Sequence, residues 1–172
     1  RRHVAGSRPL NLQIVAVDLE NPAISSAWLE LLDHYARDPM GGGAGLSSYA
    51  KANLVGELKG LPTFHGALAC DGDLAVGLIN CFTGFSTFAA KPLLNIHDLV
   101  TRADYRRQGI ALALLQWAEA RARQLACCKL TLEVLANNTQ AMAAYERAGY
   151  APYMLDQAAG QALLMQKYLL ES

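Results

Sequence analysis

Seven consecutive residues, Tyr105-Arg106-Arg107-Gln108-Gly109-Ile110-Ala111, carry the clearest chemical signal in the chain. They fall between an apolar strand-like run and an amphipathic helical pattern. A glycine at a helix start lets another molecule approach the backbone, and the first helical N–H groups have no internal partners, so such a turn can hold a phosphate. Arg106 and Arg107 add positive charge beside those donors, which suits a pyrophosphate. The same letters also describe a plain helix N-terminus with solvated arginines. The other glycine-rich stretch, Gly41-Gly42-Gly43-Ala44-Gly45, lacks the following Gly-Lys-Ser/Thr of a Walker loop and reads as a flexible connector. The four cysteines (Cys70, Cys81, Cys127, Cys128) make no Cys-x-x-Cys pair, so no metal site is expected and they read as reduced, mostly buried thiols.

The elements that must position this turn follow from hydrophobic spacing. Asn11 to Leu19 alternates in a short apolar run closed by Asn21-Pro22, which reads as a buried strand. Ile24, Ala27, Trp28, Leu31, Leu32 and Tyr35 recur at three and four spacings on one helical face that ends near Asp38-Pro39. Ser47 is a candidate N-cap for a second helix that Gly60-Leu61-Pro62 stops. Thr63–Cys70 and Leu74–Phe82 form a hairpin about Asp71-Gly72, and Leu94–Thr101 is the next strand. Gly109 opens a helix carrying Ile110, Leu112, Leu115 and Ala118, Lys129–Leu135 alternates as a strand, and Asn137-Asn138 precedes a last helix that Gly149 ends. Two terminal strands, about Tyr150–Leu155 and Ala162–Tyr168, complete an expected count of about seven.

The chain has 172 residues, 52% hydrophobic and 17% charged, with 15 Lys+Arg against 15 Asp+Glu. That length supports one domain with a substantial core and excludes a disordered chain. Balanced charge argues against a nucleic-acid partner, since phosphate neutralisation needs a broad basic field. There is no apolar run of membrane-spanning length and no secretory leader, so a cytoplasmic protein with no membrane association is expected. Residues 1–9 are expected to be a disordered or non-native extension, leaving residues 10–172 as the single domain. A homodimer is compatible with the apolar fraction, although no segment marks an interface.

The loop Arg106-Arg107-Gln108-Gly109-Ile110-Ala111 resembles the pyrophosphate loop of the GCN5-related N-acetyltransferase family, Arg/Gln-x-x-Gly-x-Gly/Ala. The resemblance continues in order through Leu94–Val100, Lys129–Val134 and Asn138–Tyr150, and more weakly through Leu164–Leu169. It implies an α/β fold: one mixed, mostly antiparallel sheet splayed after its fourth strand, with helices on both faces. It also implies acetyl-CoA as cofactor and transfer of an acetyl group to a primary amine by direct attack. On the family pattern, Leu99, Val100 and Thr101 would offer backbone hydrogen bonds to the pantetheine arm. Arg106, Arg107, Gln108, Gly109, Ile110, Ala111 and Leu112 would hold the pyrophosphate, and Asn138 would bind near the thioester.

Chemistry of this kind needs a base for the amine proton, a donor for the oxyanion and an acid for the leaving thiolate. Tyr145 sits two helical turns after Asn138 and matches the family's tyrosine acid, though a core aromatic would have the same spacing. His97-Asp98 stands where the polyamine (spermidine/spermine) acetyltransferases, the members this strand most resembles, carry Glu-Asp. Adjacent strand residues point to opposite faces, so only one of the pair meets substrate unless a bulge intervenes. Histidine is the residue type suited to taking a proton near neutral pH, which makes His97 one candidate base; Asp98 and Glu133 are the others. Either His97 or Asp98 could equally serve only to order the splayed strand. Asn80–Phe88, with Phe82, Phe85 and Phe88, reads as an acceptor-pocket wall or as hairpin core, and on the resemblance Asp33, Tyr35, Asp38 and the glycine loop lie where this family usually builds acceptor specificity. A polyamine, amino acid or amino sugar is the expected guest, with a protein N-terminus or lysine, or a non-catalytic acyl-CoA-binding domain, as the alternatives.

Overall fold

The computed structural model describes residues 8–170, so most of the proposed N-terminal extension, residues 1–7, lies outside the described residues. Five strands form one sheet in the order β1-β2-β3-β4-β5: Leu12–Ala16, Phe64–Asp71, Leu74–Ser86, Lys91–Thr101 and Leu130–Leu132. The first four run antiparallel to their neighbours and β5 runs parallel to β4. Four helices accompany them: α1 (Pro22–Ala36), α2 (Ser48–Lys59), α3 (Ile110–Gln124) and α4 (Thr139–Arg147).

Side-chain alternation along β3, offset by a β-bulge at Val76 where Cys70 pairs with Ala75 and Ala69 with Gly77, divides the core into two layers. Val76, Ile79 and Cys81 join Leu94, Ile96, Ile110, Leu114 and Ala118 under α3. On the other face, Leu78 joins Trp28, Leu31, Leu68 and Val100 under α1 and α2. Local signals place these helices. Asn21 caps α1 by accepting from the Ala23 and Ile24 N–H groups at 3.1 and 3.4 Å, and Ser47 Oγ accepts from Ala50 at 3.1 Å to start α2.

The α3 layer sits unusually close to the sheet at Gly77. A Cβ there would lie 2.8 Å from the Val100 carbonyl oxygen, 2.9 Å from Ile110 Cγ2 and 3.2 Å from Leu114 Cδ1. The missing side chain thus sets how near the first turn of α3 comes to β3 and β4. Gly77→Ala is expected to destabilise the fold by about 1–3 kcal/mol through overpacking, read as a lower denaturation midpoint at unchanged slope.

Two expectations need correction. The sheet has five strands among the described residues, not about seven: Tyr150–Leu155 and Ala162–Tyr168 make only one bridge, Met154 to Gln161, and otherwise lie exposed. Neither segment alternates cleanly. Met154-Leu155 and Leu163-Leu164-Met165 put apolar side chains on both faces, so no buried face sets a register, and Pro152 removes a donor from the first. The fifth strand is also shorter than Lys129–Leu135, ending at Leu132 with Val134 and Leu135 exposed.

Candidate active site

Strand β4 delivers the chain to the Arg/Gly turn, and three fixed points hold that turn. Arg102 Nε donates to the Ala75 carbonyl at 2.9 Å, so this arginine braces the β3–β4 end. Ala103–Tyr105 forms a 3₁₀ turn, and the Tyr105 hydroxyl donates to Asp71 Oδ2 at 3.0 Å. Asp71 also accepts from the Asn11 N–H at 3.1 Å and from Arg8 at 2.8 Å. The Asn11 N–H is the main cause, with Tyr105 and Arg8 helping, of an Asp71 carboxyl held below its ordinary range.

Beyond this anchor the backbone takes two left-handed residues, Arg107 at φ 62° and Gly109 at φ 80°. Gly109 is the N-cap of α3 and offers no side-chain hydrogen bond, so the leading N–H groups of a fifteen-residue helix are left to an outside acceptor. A Cβ on Gly109 would meet no protein atom within 4 Å. Arg106 stands beside this opening, 3.9 Å from Asp38. Tyr35, Asp38, Val100, Thr101 and Arg106 line a cleft of about 290 Å³ here.

The upstream half of the site comes from the way β4 loses its neighbour. β5 pairs with β4 only over Leu94–Ile96, while β3 stays paired as far as Thr101. The Arg102 N–H donates to Val76, which fixes the alternation: Val100 exchanges bonds with Leu78, and the backbone groups of Leu99 and Thr101 face away from β3. Past Ile96 that far side has no strand among the described residues, so Leu99 and Thr101 present backbone donors and acceptors to the splay, while those of Val100 are spent within the sheet.

A β-bulge settles where His97 and Asp98 point. Asn80 pairs with Asp98 but Cys81 pairs with Ile96, leaving His97 as the extra residue. Both side chains therefore lie on the α1 face. The His97 ring packs on Phe82 with centroids 4.7 Å apart and is exposed, while Asp98 Oδ2 accepts from Asn80 Nδ2 at 3.0 Å. Burial raises the Asp98 carboxyl above its usual range, opposed by the Asn80 hydrogen bond and the His97 charge.

Tyr35 of α1 and Tyr145 of α4 close on the same region. Burial and the charges of Asp98 and Asp38 push Tyr35 up; burial and Tyr35 push Tyr145 up. Tyr145 also packs edge-on to Tyr150 with centroids 6.0 Å apart. Asn138 caps α4, its Oδ1 accepting from the Ala141 N–H at 3.3 Å. Glu133 lies exposed just past β5, and no hydrogen bond or ion pair ties it to this group among the described residues.

The acidic residues at and just after the end of α1 are already engaged. Asp33 accepts from the Leu46 N–H and pairs with Arg37 and Lys51, interactions that hold its carboxyl low, the Leu46 bond foremost. Asp38 caps the turn after α1 through Met40 and faces Arg106. Of the phenylalanines, Phe82 is packed under α1, whereas Phe85 and Phe88 are 62% and 96% exposed and belong to no core. Trp28 and Asn80 were legible only as an apolar helix position and a hairpin residue; their hydrogen bond spans 52 residues, and no local signal announces it.

Comparison with known proteins bears on the family and the fold. Residues 28–150 match the model of the Acetyltransferase (GNAT) family. The fold is similar to a transcriptional regulator from Bacillus halodurans C-125, with a TM-score of 0.74 at 20% identity over 91% of this chain and 99% of that one. It is similar to the aminoglycoside acetyltransferase meta-AAC0020 from an uncultured soil metagenomic sample, with a TM-score of 0.74 at 16% identity over 93% and 97% of the two chains. It is also similar to the aminoglycoside N-acetyltransferase AAC(6')-Iy in complex with CoA, with a TM-score of 0.72 at 13% identity over 94% and 97%. No curated protein sequence matches the chain. With most of its length, from α1 to the end of α4, matched by that one family model, the chain belongs to the GNAT family of acetyltransferases.

Proposed function

We propose that this acetyltransferase transfers an acetyl group from acetyl-CoA directly to the primary amine of a small molecule, with Asp98 as general base and Tyr145 as general acid. The observation that carries the proposal is the bulge at His97, which turns a half-buried carboxylate toward Tyr35 beside the open edge of β4. The residues suit coenzyme A. The uncapped start of α3 and Arg106 fit a pyrophosphate, and the free backbone groups of Leu99 and Thr101 fit an amide-bearing arm. Arg107, Gln108, Ile110, Ala111 and Leu112 contribute as the backbone of that turn.

Acetyl-CoA, when bound, supplies the acetyl group as an activated thioester. Asp98 accepts the proton that an ammonium acceptor must lose, and its raised affinity for protons suits that task better than an ordinary aspartate's would. The Leu99 N–H is the donor nearest the splay for a developing oxyanion. Tyr145 holds its proton through neutral pH because burial opposes phenolate formation, and so can give it to a departing thiolate. No acyl-enzyme is invoked. Cys81 is fully buried and its thiol is pushed up to about 12, so it stays protonated and out of reach.

Polyamines, amino acids and amino sugars are the proposed acceptor classes, and the likeness to two aminoglycoside acetyltransferases supports the last. A thiol-release assay with acetyl-CoA against these amines and a peptide panel tests the assignment. Release above background with at least one small amine is expected. Release with peptides alone replaces the acceptor class, and none with any amine overturns the function.

A further inference from the structure

The Asp98 carboxylate does not stand alone; it ends a chain of buried polar groups. Trp28 Nε1 donates to Asn80 Oδ1 at 2.8 Å, and Asn80 Nδ2 donates to Asp98 Oδ2 at 3.0 Å. Trp28 is 0% and Asn80 2% exposed, so water does not compete for either amide group. The order of the chain is fixed by its far end. An indole N–H can only donate, so the amide oxygen of Asn80 must face Trp28 and its NH2 must face Asp98. Asp98 Oδ2 is consequently held as an acceptor, and Oδ1, with no hydrogen-bond partner among the described residues, is the oxygen free to take a proton.

We propose that Asn80 and Trp28 are positioning residues for Asp98: the amide, oriented by the indole, keeps Oδ2 an acceptor and directs the proton taken from the amine onto Oδ1. The N–H bond of the acceptor breaks as the Oδ1–H bond forms, and the proton then leaves to solvent. This rests on Asp98 being the base. Packing alone does not require the pair, since apolar side chains of similar volume could fill the site at little cost. Other titratable groups that sense Asp98 are Tyr35 on α1, Cys81 on β3 and His97 on β4, with Asp38 and Tyr145 adjoining Tyr35. None of them donates a hydrogen bond to the carboxylate among the described residues. Asn80 is therefore the one hydrogen-bond donor opposing desolvation there.

Two substitutions test the proposal from opposite ends. Asn80→Leu removes the donor, and Trp28→Phe leaves Asn80 in place but frees its amide to turn. Each should raise the Asp98 titration, read from the side-chain carboxyl carbon of 13C-aspartate-labelled protein with Asp98→Asn as the assignment control. Each should also move the acid limb of kcat/KM to higher pH, costing about tenfold below the limb, with recovery above it most complete in Trp28→Phe. A merely structural pair would lower activity evenly at every pH. An Asp98 titration unmoved by both changes overturns the proposal and leaves the base in place. An acid limb that persists in Asp98→Asn removes the base itself, and the proposal with it.

Discussion

Gly109→Val is expected to weaken coenzyme A binding by about a hundredfold or more while the protein stays folded. Two physical effects act in the same direction. At φ 80° a β-branched side chain is strained, by about 1–2 kcal/mol for the left-handed region. If the backbone relaxes to negative φ, the N–H groups at the start of α3 turn away from their common focus. If it does not, the branched side chain occupies the space a pyrophosphate needs. A Cβ there meets no protein atom within 4 Å, so packing is untouched and the stability cost stays near the backbone strain alone. Titration calorimetry with coenzyme A, beside a thermal melt, separates the two quantities. Unchanged affinity would remove the turn from the binding site; Gly109→Ala should fall between wild type and valine.

What could be recognised beforehand is what chemistry writes into neighbouring residues. The Arg106–Ala111 turn, the Asp71-Gly72 hairpin and the Ser47 cap are each complete within a few positions, so their letters suffice. His97 and Asp98 show the limit. Whether adjacent strand residues share a face depends on a bulge, and the bulge arises from how Asn80 and Cys81 pair across β3, information absent from β4 itself. The acidic residues at and just after the end of α1 mislead in the other direction. Asp33, in the last turn of α1, and Asp38, just after it, suggest an empty cation pocket, yet each is already engaged: Asp33 by Arg37, Lys51 and the Leu46 N–H, Asp38 by the Met40 N–H and Arg106. The C-terminal segments fail for a third reason: β-prone composition makes a strand only where a partner and a buried face fix its register.

The zero formal charge acquires a different meaning once the residues are placed. Arg106 and the uncapped start of α3 gather positive potential on one side of Tyr35, while the half-buried Asp98 carboxyl adds negative charge on the other. Asp38 adjoins both, pairing with Arg106 and raising Tyr35.

Tyr145→Phe is expected to lower kcat by about a hundredfold, the smaller end of what a positioned general acid contributes, with acetyl-CoA affinity largely kept. The substitution deletes only the hydroxyl. Its ring keeps the edge contact with Tyr150 and its place against the α3-side cluster, so neither α4 nor the cap at Asn138 is disturbed. Acid catalysis and simple packing are distinguished by the leaving group. A thiol of low pKa departs as a stable thiolate and needs no proton, so the ratio of wild-type to variant turnover should shrink toward one with an acetyl aryl thioester. A mutation that merely loosened the site would slow both donors alike. Asp98→Asn provides the contrast, because loss of the base is insensitive to how readily the thiol leaves. A Tyr145→Phe deficit equal for coenzyme A and aryl thioesters would assign the hydroxyl to structure and transfer the acid role elsewhere.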